Sequence, residues 1–124
     1  MKSVLVVEDD PLSRELLADW LEAQGYACYA AATLGAAREI VISRKPDLVL
    51  LDVNLGPEDG LELAHWLRAE PSFAGIPVIV VTAHAMVAEK ERIERSGCSA
   101  FVSKPVDFGL LKSCMERFLP EASE

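Results

Sequence analysis

No apolar run in this chain approaches the roughly 18 residues a membrane-spanning helix needs. The opening MKSVLVV carries one lysine but runs straight into acids at Glu8, so it lacks the apolar stretch of a signal peptide. Cysteine is scarce and odd in number. Cys28, Cys98 and Cys114 show no CxxC or Cys/His spacing, which excludes a disulfide framework and a zinc site and leaves small buried hydrophobes in a reducing compartment. Basic residues are few, 12 Lys and Arg against 20 Asp and Glu, for a formal charge of -8. With no basic cluster to offset it, that charge repels phosphate backbones and anionic headgroups, so nucleic acid and membrane surfaces are not expected as direct partners. No strand is followed by GxGxxG or GxxxxGK[ST], which removes the common nucleotide cradles. A soluble, cytoplasmic protein is expected.

What is present is alternation. Short β-branched or apolar runs stand at Ser3–Val7, Leu48–Leu51 and Val78–Val81, with weaker ones at Ala27–Ala31 and Ala100–Val102. Between them the spacing turns helical. Leu12, Leu16, Leu17, Trp20 and Leu21 repeat at three and four residues, and Gln24-Gly25 ends that helix. Thr33 is placed to cap a second helix through Ala36, Ala37, Ile40 and Val41. Further helices are predicted from about Leu61 to Ala69, Met86 to Ser96 and Asp107 to Leu119, before Pro120 and a polar tail. Strand then helix, five times over, predicts an α/β fold. Three strands are apolar on both faces, as central strands of a parallel sheet covered by helices on each side must be. Right-handed crossovers make this a doubly wound (βα)5 sandwich. The 51% hydrophobic content is enough to fill such a core in 124 residues, and no linker divides them.

In such a sheet, function gathers where the strands reach their carboxyl ends. The first strand ends in Glu8-Asp9-Asp10, the third in Asp52 with Val53 and Asn54 beyond it, the fourth in Thr82, and the fifth in Ser103-Lys104-Pro105. Singly, each has an ordinary structural use. An acid before Pro11 caps a helix, and an Asp at a strand end makes a turn. Together, three carboxylates on one rim repel one another unless a cation sits between them. Hard oxygens with open water positions suit Mg²⁺, which binds through one or two carboxylates plus a phosphate. Lys104 and Thr82 add a positive charge and a hydroxyl donor. The set suits a phosphoryl group held beside a metal on a carboxylate nucleophile.

The order VVEDDP, LLDVNL, VTAHA and SKP, spread over the chain, resembles the receiver domain of two-component response regulators. In detail it looks most like small single-domain regulators of the bacterial cell-cycle type, and receivers cut from hybrid kinases look much the same. The resemblance implies one receiver domain over residues 1–124 with a five-stranded parallel sheet in the flavodoxin-like order 2-1-3-4-5. It implies that Asp52 accepts phosphoryl from a sensor histidine kinase or a histidine phosphotransfer protein. It gives Asp9 a direct contact to Mg²⁺, Glu8 one through water, and Asn54 one through its backbone carbonyl. Thr82 and Lys104 contact phosphoryl oxygens, Thr82 and Phe101 form the switch, and Lys104–Pro105 is a cis peptide. A downstream protein is expected on the face of the fourth helix, fifth strand and fifth helix, and the kinase near Leu12, Leu16 and Pro105. Asn54 and His84 are expected to flank the line along which water attacks and so to set phosphoryl lifetime, the alternative for His84 being a solvated residue near the start of the fourth helix.

The chain departs from the family pattern at three points. Leu55 is followed by Gly56, and Pro57 arrives one residue late, although the spacing to Asp59-Gly60 is intact. Glu8 stands for the commoner Asp and Phe101 for the commoner Tyr. None removes a required group. A phosphatase of the haloacid-dehalogenase type shares the aspartyl phosphate, Mg²⁺, Thr and Lys. It needs a second Asp two residues after the nucleophile, where this chain has Asn54, and a cap insertion. A binding module that has lost phosphorylation would have no use for Asp9, Asp52, Thr82 and Lys104 together. A phosphorylation-dependent switch, rather than a turnover enzyme, is the expectation.

Overall fold

The computed structural model describes residues 1–83 and 87–119. Five strands and five helices alternate: β1 Ser3–Val7, α1 Pro11–Ala23, β2 Ala27–Ala31, α2 Leu34–Arg44, β3 Leu48–Leu51, α3 Leu61–Ala69, β4 Val78–Thr82, α4 Val87–Arg95, β5 Ala100–Ser103 and α5 Phe108–Phe118. The sheet is parallel throughout, in the order β2-β1-β3-β4-β5. The predicted α/β fold and strand order are those observed. β4 and β5 each run one residue further than the apolar pattern indicated, because Thr82 pairs in register with Ser103. His84, the predicted helix start at Met86, and Pro120 lie outside the described residues.

Side chains alternate across each strand, so one strand serves two cores. Leu5, Val7, Val49, Leu51, Val78 and Val80 face α2, α3 and α4, where they meet Val41, Leu63, Leu67 and Ile93. Val4, Val6, Leu48, Leu50, Ile79 and Val81 face α1 and α5, against Leu17, Leu21, Leu111 and Met115. Local sequence sets the helix ends. Asp10 accepts from the Ser13 N–H at 3.0 Å with Pro11 opening α1, and Gly25 takes φ +96° just past its end. Thr33 caps α2 through the Ala36 N–H at 3.1 Å, and Asp107 caps α5 through the Leu110 N–H at 3.1 Å.

One element was not foreseen. Asn54–Leu55 pairs antiparallel with Glu58–Asp59, a two-residue ribbon between β3 and α3. It turns through Gly56, whose φ of +62° suits glycine. Gly56, which stands where the family pattern has its proline, thus becomes the turn of a tight ribbon.

Candidate functional site

The chain runs from β1 outward to β2, then back across to β3. The carboxyl ends of β1 and β3 therefore lie side by side at the point where the winding reverses. Backbone bonds fix the residue just past each strand: the Asp52 N–H donates to Val7 O at 3.0 Å, and the Glu8 N–H to Ala31 O at 3.0 Å. Glu8 is 2% exposed and Asp52 7%, while Asp9 stands open to solvent. One oxygen from each of these three carboxylates lies within 4.8 Å of the others.

The cation between them is in part the protein's own. Lys104 Nζ donates to Glu8 Oε1 at 2.8 Å and to Asp52 Oδ2 at 3.1 Å. The Asn54 N–H donates to the other Asp52 oxygen at 3.1 Å, and the Asp10 N–H to the other Glu8 oxygen at 3.2 Å. Burial raises the Glu8 carboxyl above its ordinary value; the Lys104 bond opposes this, and the Asp52 charge adds to it. Burial pulls the Lys104 ammonium down, but its bonds to Glu8 and Asp52 outweigh that, so its pKa ends above the ordinary lysine value. The Lys104–Pro105 peptide bond is cis.

Thr82 is fully buried at the end of β4, and its carbonyl accepts from the Lys104 N–H at 2.8 Å. Val80 faces the α2–α4 side, so Thr82 does too, and so does Phe101, which pairs with Val80 and packs half-buried on that core. Lys90 Nζ of α4 lies 6.0 Å from the Phe101 ring centroid. The structure thus brings Glu8, Asp9, Asp52, Asn54 and Lys104 together, and sets Thr82 and Phe101 on the sheet face that α4 covers.

The sequence profile of the response regulator receiver domain matches residues 4–116. The chain belongs to that family. It is 37% identical over 121 residues to the polar-differentiation response regulator DivK of Brucella anthropi, covering 98% of each chain. Among solved structures it superposes on the signal receiver domain of a signal transduction histidine kinase from Syntrophus aciditrophicus. That match has a TM-score of 0.90 at 30% identity, covering 100% of this chain and 96% of the other. The beryllofluoride-activated receiver domain of RstA from Klebsiella pneumoniae matches with a TM-score of 0.87 at 26% identity, over 97% and 100% of the two chains. This receiver is a two-component response regulator, and membership implies a histidine kinase or phosphotransfer partner. Receiver domains bind Mg²⁺ at their acidic pocket, and here the pocket holds Glu8, Asp9 and Asp52.

Four contacts in this receiver escaped sequence reasoning. Arg14 Nη1 donates to Glu8 O at 2.9 Å and Asp9 O at 3.3 Å, bracing the acidic turn. Glu58 Oε1 accepts from the Leu34 N–H at 3.0 Å, and Arg92 pairs with Asp59. A Cβ at Gly60 would meet the Asp52 carbonyl oxygen at 2.0 Å, so only glycine fits beside that residue. Arg14, Glu58 and Arg92 touch partners far along the chain or on backbone, which no residue spacing encodes. The Asp-Gly pair was visible, but its meaning was not.

Proposed function

We propose that this receiver is a switch thrown by phosphorylation of Asp52. The observation that carries the reading is the setting of that carboxylate: buried at the end of β3, held by Lys104 and the Asn54 N–H, with Glu8 and Asp9 oxygens within 4.8 Å. An Asp52 oxygen attacks the phosphorus of a partner's phosphohistidine. The P–N bond breaks, its electron pair returns to the imidazole, and an acyl phosphate forms on Asp52. Lys104 Nζ turns from Asp52 Oδ2 to a phosphoryl oxygen, and the Thr82 hydroxyl donates to another. Mg²⁺, when bound, neutralises charge on the transferring group.

The donor set suits that ion: hard carboxylate oxygens, one of them open to water at Asp9. Both Glu8 oxygens already accept from Lys104 and the Asp10 N–H, which favours a water-mediated role for Glu8 and a direct one for Asp9. The Asn54 carbonyl would complete the protein's share. Water later attacks the acyl phosphate in line and releases phosphate, so the domain catalyses its own reset. Asn54, two residues past the nucleophile, and His84, two residues past Thr82 in the sequence, are the positions to which we assign control of that step.

Phosphorylation draws Thr82 inward, Phe101 turns, and α4 shifts, altering the α4–β5–α5 face for a downstream protein. The kinase or phosphotransfer protein docks on the other side of Lys104. There a groove of about 280 Å³ runs between α1 and the Lys104–Phe108 segment, past Leu16 and Pro105, and Leu12 on the same helix is 75% exposed. No described helix is long and apolar enough to cross a membrane; membership of the receiver family is what supports a cytoplasmic placement. Incubation with Mg²⁺ and acetyl phosphate should add one phosphoryl group by intact mass, and Asp52→Asn should abolish it. Undiminished labelling of Asp52→Asn sinks the reading.

A further inference from the structure

Asp59 takes no part in the chemistry above, yet it is held from two directions. Its Oδ1 accepts from the Leu61 N–H at 3.0 Å, and its Oδ2 pairs with the Arg92 guanidinium of α4. Across the ribbon Asp59 lies in register with Asn54, and Glu58 with Leu55. The position of the Asn54 carbonyl therefore follows the position of Asp59. Glu58 ties the same strand to the first N–H of α2, so two side chains pin the ribbon from its flanks. Between them the backbone turns at Gly56, where a Cβ would stand 3.6 Å from Asp9 Oδ2, so the turn itself abuts the acidic site. Among the described residues, Arg92–Asp59 is the ion pair that joins α4 to this ribbon.

We infer that Arg92 is a positioning residue. Through Asp59 it sets the loop that offers Asn54 to the metal, and through the same pair a shift of that loop is passed to α4. Coupling between two sites is reciprocal, so what steadies the loop for Mg²⁺ also lets Mg²⁺ steady α4. The inference rests on the Mg²⁺ site proposed above. The pair is 41% and 38% exposed, with Glu89 sharing the guanidinium, so its effect is modest and screened by salt.

Calorimetric Mg²⁺ titration of the whole chain tests it. Arg92→Ala should weaken Mg²⁺ binding about two- to fivefold, the range a half-exposed ion pair allows. Asp59→Asn, which keeps the oxygen facing the Leu61 N–H, should do the same, and the double variant should be no worse than either. Arg92→Lys should recover part of the loss, and raised NaCl should shrink the ratio between wild type and Arg92→Ala. Protection of α4 amides by Mg²⁺, read by hydrogen exchange, should be present in wild type and absent in Arg92→Ala. If Asp9→Ala abolishes binding while Arg92→Ala and Asp59→Asn leave it unchanged, the positioning role is wrong and the metal site stands. If Asp9→Ala binds Mg²⁺ as wild type does, the metal site itself is misplaced.

Discussion

Helices α3 and α4 are both nine residues long and cover the same side of the sheet, yet they are held in different ways. α3 buries Leu61, Leu63, Ala64 and Leu67, and a Leu fully withdrawn from water contributes about 1.5–3 kcal/mol. Of the described side chains of α4 only Ile93 is buried. Among the described residues it is also tied to other elements by charge: Arg92 to Asp59, and Lys90 over the Phe101 ring. Contacts of that kind contribute up to about 1 kcal/mol each. The acidic rim, by contrast, grows from β1 and β3, whose strand residues are almost all buried. A receiver needs both arrangements: a fixed place for chemistry, and an element loose enough for that chemistry to move it.

Cavity mutations give the largest test of the difference. Leu63→Ala removes a fully buried side chain from α3 and should cost about 2–4 kcal/mol of global stability, seen as a lower urea midpoint. Ile93→Ala removes an equally buried side chain from α4, but its global cost is capped by the free energy with which α4 is held. Hydrogen exchange should then speed up across α4 while α3 keeps its protection. Uniform loss of protection in Ile93→Ala would mean that α4 is as firmly part of the core as α3.

A smaller effect separates the two regions by pH. Lys104 has its pKa raised above 10.5 in the folded state by Glu8 and Asp52, after burial has pulled the other way. A raised lysine contributes stability fully below the unfolded value and loses it as pH climbs through the folded value. In chelator, wild type should therefore melt above Lys104→Met at pH 8, and the gap should narrow above about pH 10.5. Arginine keeps its charge throughout that range, so the gap between wild type and Arg92→Ala should stay level. A level Lys104 gap would show that its two carboxylate contacts are too solvated to matter.

Where the sequence could be read, the signal was local. Five β-branched or apolar runs became five strands, and Thr33 and Asp107 mark helix starts because a capping side chain reaches only three residues ahead. The gathering of Glu8, Asp9, Asp52 and Lys104 was legible too, since parallel strands carry their carboxyl ends to one rim. The ribbon at Asn54–Leu55 and Glu58–Asp59 was not, because two-residue strands leave no periodicity to detect. Nor was the seat of Lys104. The three acids implied a cation, but that a lysine 96 residues from Glu8 would bridge it to Asp52 is a product of tertiary packing. The surroundings of Phe101 were hidden for the same reason, because Lys90 approaches it from another element.

That last contact carries the smallest prediction. From sequence, Phe101 lacks the hydroxyl that would hold a Tyr in water, so its inward rotamer is expected to be the easier one to populate. In the fold, an ammonium lies 6.0 Å from the ring centroid and favours the half-buried position the ring now holds. An exposed cation–π contact contributes about 0.5 kcal/mol, which is roughly a twofold change in a two-state population. The two influences oppose each other, and removing one should reveal the other. Lys90→Met keeps most of the aliphatic stem and deletes the charge, so the inward rotamer should become about twofold more populated before any phosphoryl mimic is added. With beryllofluoride bound, wild type and variant should converge, because the bound state then dominates the choice. Ring resonances of a selectively labelled Phe101 report both conditions. Equal populations in the free proteins would show that the Lys90 contact does not hold the ring, and would make the contrast of α4 with α3 steeper still.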